Sequence, residues 1–144
     1  MLASILIIVF SLALFVYWFR YCCTLLLRNS QEQIAALPAV ADTRFGVAGV
    51  IERLRTEEDL DPLHQALDRD YQVFAYLVQH AAGLELASLE DRLLLLDYKL
   101  MHLWYRLTLT AAPLQAREAL SQMASILNVL VHKMGHQAGL RVEA

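Results

Sequence analysis

Charge is missing from the first nineteen residues, MLASILIIVFSLALFVYWF, and the first charged side chain is Arg20. That absence excludes a water-facing surface helix and leaves a membrane span. Leu2 to Phe19 supplies eighteen apolar or weakly polar positions, about 27 Å of helix at 1.5 Å per residue, which covers a hydrocarbon core about 30 Å thick once flanking residues snorkel. No Lys or Arg precedes the run, and it ends in Tyr17, Trp18 and Phe19 rather than in small residues. A cleaved secretory signal needs both of those features, so the segment is read as an uncleaved anchor.

Cysteine is scarce as well. The only two, Cys22 and Cys23, are adjacent, and the short peptide between neighbours disfavours relaxed disulfide geometry, so no disulfide framework exists. Thiols just inside a membrane can be lipidated, but small buried hydrophobes are their more ordinary role. Glycine and proline are absent from Cys22 to Leu37, and Pro38 is the first helix-breaking residue after the span. One helix from about Leu2 to Ala36 follows. It turns polar over Arg28-Asn29-Ser30-Gln31-Glu32-Gln33, as a stalk leaving the lipid interface does. Ser4 and Ser11 share one face of the span, where small residues let a neighbouring helix approach.

The motifs of common chemistries are also missing. Gly46-x-x-Gly49 has no following Lys-Ser or Lys-Thr, which excludes a phosphate loop. His132 and His136 stand four apart on one helix and could face a single ion or carry a phosphoryl group. A zincin, however, needs Glu directly after the first His and this chain has Lys133, while a di-iron bundle needs paired Glu-x-x-His motifs. No catalytic set is therefore assigned, no cofactor or metal is expected, and a metal-binding redox subunit or a histidine phosphotransfer module stands only as an alternative. Basic excess is lacking too. Of 12 Lys and Arg, removing Arg20 and Arg28 leaves 10 against 15 Asp and Glu, so residues 29–144 carry a formal charge of −5. An acidic module is a poor ligand for nucleic acid or for an acidic leaflet.

What is present organises the rest. Arg20 and Arg28 flank the C-terminal end of the span, so the positive-inside rule predicts a cytoplasmic C-terminal side and an outward N-terminus, in the cell membrane as a single pass. Tyr17, Trp18, Phe19 and Tyr21 form an aromatic belt at that boundary, with the Arg20 guanidinium directed toward lipid phosphate. Beyond the Ala39–Phe45 linker, a short amphipathic helix is predicted over Val47–Arg55, with Val50, Ile51 and Leu54 on its apolar side. Three longer helices follow. The first starts at Asp61-Pro62 and ends near Gly83, the second starts at Ser88 and reaches about Thr110, and the third runs from Pro113 to Gly135 or Gly139. Short connections make them antiparallel. The fold class is all-α: a transmembrane anchor over 1–28, a stalk and linker over 29–45, and a helical bundle of three long helices plus one short over 46–144.

Two apolar flanks on the second long helix carry the functional reading. Leu89, Leu93, Leu96, Leu100, Leu103 and Leu107 alternate by three and four like a heptad seam, and are expected to face the core. Leu94, Tyr98, Met101, Trp104 and Tyr105 form a second flank, which a small bundle has little use for, so the helix is either central or presents that face to a partner; the alternative is that the short helix and the stalk cover it. Arg92, Lys99 and Arg106 repeat at seven beside it, and Asp61 and Asp68 share that spacing on the helix before. Asp97, Lys99 and Arg106 keep this helix out of the bilayer. Asp70 falls within the apolar face of Leu63, Leu67, Phe74 and Leu77, and Asp97 at the edge of the seam; as buried carboxylates both require partners. The chain is thus expected to be an accessory or assembly subunit of a membrane complex, whose partners are the bilayer and other membrane subunits or itself.

Overall fold

The structure, a computed structural model, describes residues 1–36, 46–80 and 88–142. Among them it contains five helices and no strand: α1 Leu2–Ala35, α2 Val47–Arg53, α3 Asp61–His80, α4 Leu89–Thr108 and α5 Pro113–Val142. The chain is all-α, with one long apolar N-terminal helix followed by helices that pack as a bundle. The linker expected over Ala39–Phe45 and the end of the first long helix expected near Gly83 lie outside the described residues.

Two environments divide α1. Every residue from Leu2 to Trp18 is exposed, and none of its most apolar window is buried. A core helix of a water-soluble protein would hide such a surface, whereas this one is long and apolar enough to cross a membrane. From Phe19 onward the same helix enters the bundle. Cys23, Leu27 and Ser30 are buried, Phe19, Arg20, Leu26 and Ile34 half-buried, and this three-four spacing lays one stripe of α1 against α4 and α5. The stalk is therefore not a free spacer between anchor and bundle, because its inner face is part of the core.

The central helix is α5, not α4. It packs on α1, α2, α3 and α4, and Ala116, Ala119, Leu120, Met123, Ala124, Ile126, Leu127, Val129, Leu130 and Val131 are all buried. Three alanines let neighbouring backbones come close, and the stretch Ala119–Val131 has no charged residue to require water. The helix runs through Gly135 and Gly139 to Val142 rather than stopping at either. A glycine in a helix interior costs only about 1 kcal/mol, too little to end a helix already packed upstream.

Local signals explain the other ends. Ser88 caps α4, its hydroxyl oxygen accepting the Glu90 N–H at 3.0 Å, while Glu90 and Asp91 meet the positive end of the helix dipole. At α3 the carboxylate of Asp59 accepts the N–H of Asp61 at 3.2 Å, so Asp61 sits in the first turn and not at the cap. The short α2 buries Val47 and Val50, with Leu54 just beyond it. Arg117 of α5 fixes that end by donating from Nη1 to the Leu54 carbonyl and from Nη2 to the Glu57 carbonyl, both at 2.6 Å.

Candidate functional site

The two flanks of α4 are exchanged relative to the sequence expectation. Leu94, Tyr98, Met101 and Tyr105, expected to dock a partner, are core residues no more than 2% exposed. Tyr98 stacks on Tyr71 of α3 with centroids 4.6 Å apart, and Tyr105 stacks on His64 at 4.5 Å. Aromatic side chains reach across to a helix whose backbone is not close, which leucines in the same positions would not do. Of that candidate interface only Trp104 stays open, at 46%.

The leucines expected to form the seam face outward. Leu89 is 76% exposed, Leu93 41%, Leu96 54%, Leu103 55% and Leu107 62%; only Leu100 leans partly on the core. These six residues mark one stripe along a helix of 20 residues, about 30 Å at 1.5 Å per residue. Soluble surfaces rarely carry a contiguous apolar strip of that length, and such strips mark interaction sites. On one side the stripe is bordered by exposed Lys99 and Arg106, in line with Arg92, and on the other by Trp104 and the α1 side of the bundle.

The α1 side holds the buried charge. Asp97 is fully buried and neither carboxylate oxygen has a hydrogen-bond partner. Loss of water pushes its carboxyl above the usual carboxylate range, and the nearby Arg20 only partly offsets that. Arg20 does not extend toward lipid as the sequence suggested. It folds into the α4–α5 groove, donating from Nη1 to the Met101 sulfur at 2.8 Å and from Nη2 to Gln122 Oε1 at 2.7 Å. Arg20 also lines an open cavity of about 270 Å³ with Trp104, Glu118 and Gln122. Its neighbours Tyr17, Trp18 and Tyr21 are exposed, and Arg28 is exposed 3.9 Å from Glu32.

Asp70 is half-buried rather than buried, and its Oδ2 accepts the N–H of Gly46 at 3.0 Å, pinning the entry to α2. Partial burial still raises its carboxyl, against the pull of that bond and of Arg69. On the far side, Asp68 accepts from Gln72 within its own helix at 3.2 Å.

The histidine pair lies at the opposite end of α5. His132 is half-buried with Nδ1 2.9 Å from the Asn128 carbonyl, and His136 is exposed. Both line a second cavity with Ser30, Glu90, Asp91 and Lys133. The Lys133 ammonium already sits 3.1 Å from Asp91 and 3.7 Å from Glu90, occupying the carboxylates that could have completed a ligand set. Among the described residues no group of three His, Cys, Asp or Glu side chains could hold a metal ion.

No family model, no curated protein and no solved structure matches this chain.

Proposed function

We propose that this chain is a single-pass membrane protein without catalytic activity, which serves as an accessory or assembly subunit by docking an apolar helix on the leucine face of α4. The observation that carries the reading is the exposure of Leu89, Leu93, Leu96, Leu103 and Leu107 on a helix whose other side already fills the core. Those leucines are surplus to the stability of the bundle, and their regular three-four spacing suits a helix as occupant. The anchor supports the same reading. Leu2–Trp18 would lie in lipid, with Tyr17, Trp18 and Tyr21 at the boundary. Arg20 and Arg28 at its C-terminal side favour a cytoplasmic bundle and an outward N-terminus. Confinement to one leaflet raises the effective concentration of the docking face for another membrane-anchored chain, so a contact too weak in free solution becomes populated.

The test is affinity capture of the tagged full-length chain from detergent-solubilised membranes, compared with the double variant Leu96→Glu and Leu103→Glu. Both positions are open to solvent, so the variant keeps its fold. The wild type is expected in an assembly that the variant no longer forms. Recovery of both as the same lone monomer rejects the docking role.

A further inference from the structure

The occupant of the leucine face can be narrowed by two independent constraints, orientation and charge. Orientation comes from the register of α4 on α1. Arg20 of α1 lies at Met101 of α4, and Ser30, Gln33 and Ile34 of α1 share a cavity with Ser88, Glu90 and Asp91 at the start of α4. As α1 runs away from its apolar end, α4 runs back toward it. With α1 in a membrane, every copy of the chain presents α4 pointing the same way. Two copies inserted alike are related only by rotation about the membrane normal, so their α4 helices can meet in parallel and not antiparallel.

Charge selects the same geometry. In a heptad seam the residues bordering it alternate between two flanks, and a parallel pair sets one flank of each helix against the opposite flank of its partner. Here one flank carries Arg92, Lys99 and Arg106 and the other carries Trp104, with Glu118 of α5 beside it in the Arg20 cavity. Parallel contact brings the Lys99 ammonium to the indole face of Trp104 in the second copy, a cation–π geometry, with an exposed carboxylate close by. Antiparallel contact would lay the basic flank against itself. The stripe is also self-complementary in shape, since leucine occupies all six seam positions and each can fill the space between two leucines of an identical helix.

We propose that α4 pairs with α4 of a second copy, in parallel and in register, about an axis along the membrane normal. The pairing rests on the docking role of the leucine face and on α1 spanning the bilayer. It makes the chain a membrane-anchored homodimer whose leucine seam runs from Leu107, at the end of α4 nearer the membrane, to Leu89 at the end farther from it.

A photoactivatable phenylalanine analogue in place of Leu96 tests this in native membranes, co-expressed with an unsubstituted, differently tagged copy. Parallel pairing places position 96 against the tryptic peptide Leu93–Lys99 of the second copy; antiparallel pairing places it against Leu100–Arg106. The expected product is a cross-link between the two tags at twice the 16.3 kDa chain mass, carried by Leu93–Lys99. Adding Leu103→Glu should lower its yield about tenfold, because a charge then enters the seam. A self-adduct on Leu100–Arg106, or a yield that Leu103→Glu leaves unchanged, overturns the parallel dimer. An adduct to a different protein overturns self-pairing while leaving the docking face in place, and no adduct to any protein overturns both.

Discussion

Replacing Asp97 with leucine should make this protein more stable, and increasingly so as pH rises. The wild-type carboxyl is fully enclosed with both oxygens unpartnered, a condition that costs about 1–3 kcal/mol in desolvation. Leucine has the same branching and nothing to solvate, so that cost is relieved, less what its bulkier methyl groups cost in packing beside the Arg20 cavity. Arg20 does not lose its environment in exchange, because it keeps Met101 and Gln122 and lines an open cavity. The sign of the pH dependence follows from proton linkage. Burial raises the folded carboxyl above its unfolded value, so between those two values the folded state holds a proton that the unfolded chain has released. Wild-type stability therefore falls as pH climbs through that window, by about 1.4 kcal/mol for each tenfold difference in proton affinity, and stays low above it. The assay is thermal unfolding of full-length wild type and Asp97→Leu in matched detergent at pH 5 and pH 8, followed by circular dichroism. The variant should melt higher by about 4–8 °C for each kcal/mol gained in a domain of this size, with the larger gap at pH 8. An equal gap at both pH values, or a variant that melts lower at pH 8, would refute the account of Asp97 as an unpaired buried acid.

Other outcomes separate the two sides of α4 and the ties between elements. Leu94→Ala should cost about 2–5 kcal/mol, whereas Leu96→Ala, two positions along the same helix, should stay within about 0.5 kcal/mol, measured by thermal melts of the full-length chain. Arg117→Ala leaves the carbonyls of Leu54 and Glu57 without their charged donor; it should cost about 1.5–3 kcal/mol for a charge-assisted contact and open the 46–60 segment to faster amide exchange. Protease added outside intact cells should leave the bundle uncut, and should cut it once the membrane is permeabilised.

Legibility in the sequence varied with the range of the interaction. The apolar run of α1, the Ser88 cap and the Pro113 start are encoded within a few residues, and each stands where local chemistry puts it. Which flank of α4 faces inward is a different problem. A wheel shows that Leu93, Leu96 and Leu103 lie on one side and Leu94, Tyr98 and Met101 on another, but both sides are apolar, so hydrophobicity alone cannot rank them. The core took the aromatic flank because Tyr71 and His64 on α3 offer rings to stack against, and those partners are 27 and 41 positions away from theirs in sequence. One signal was available and points to the right central helix: thirteen uncharged residues from Ala119 to Val131, with alanines at positions where neighbouring backbones approach.

Arg20 shows the same limit on the scale of one side chain. Its place directly after the apolar run suggests a membrane boundary, where a guanidinium ordinarily turns toward phosphate. In the folded chain a sulfur and an amide oxygen, supplied by α4 and α5, are nearer. The sequence by itself determined an all-helical chain with one long apolar helix and the start of each element, because these depend on residues adjacent in the chain or on composition. Only the tertiary structure decided that the stalk of α1 is core, that α5 is the centre, and that the leucines of α4 are left facing outward. Those outcomes depend on which of several apolar surfaces fit one another, and fit is a property of pairs of helices that neither helix carries alone.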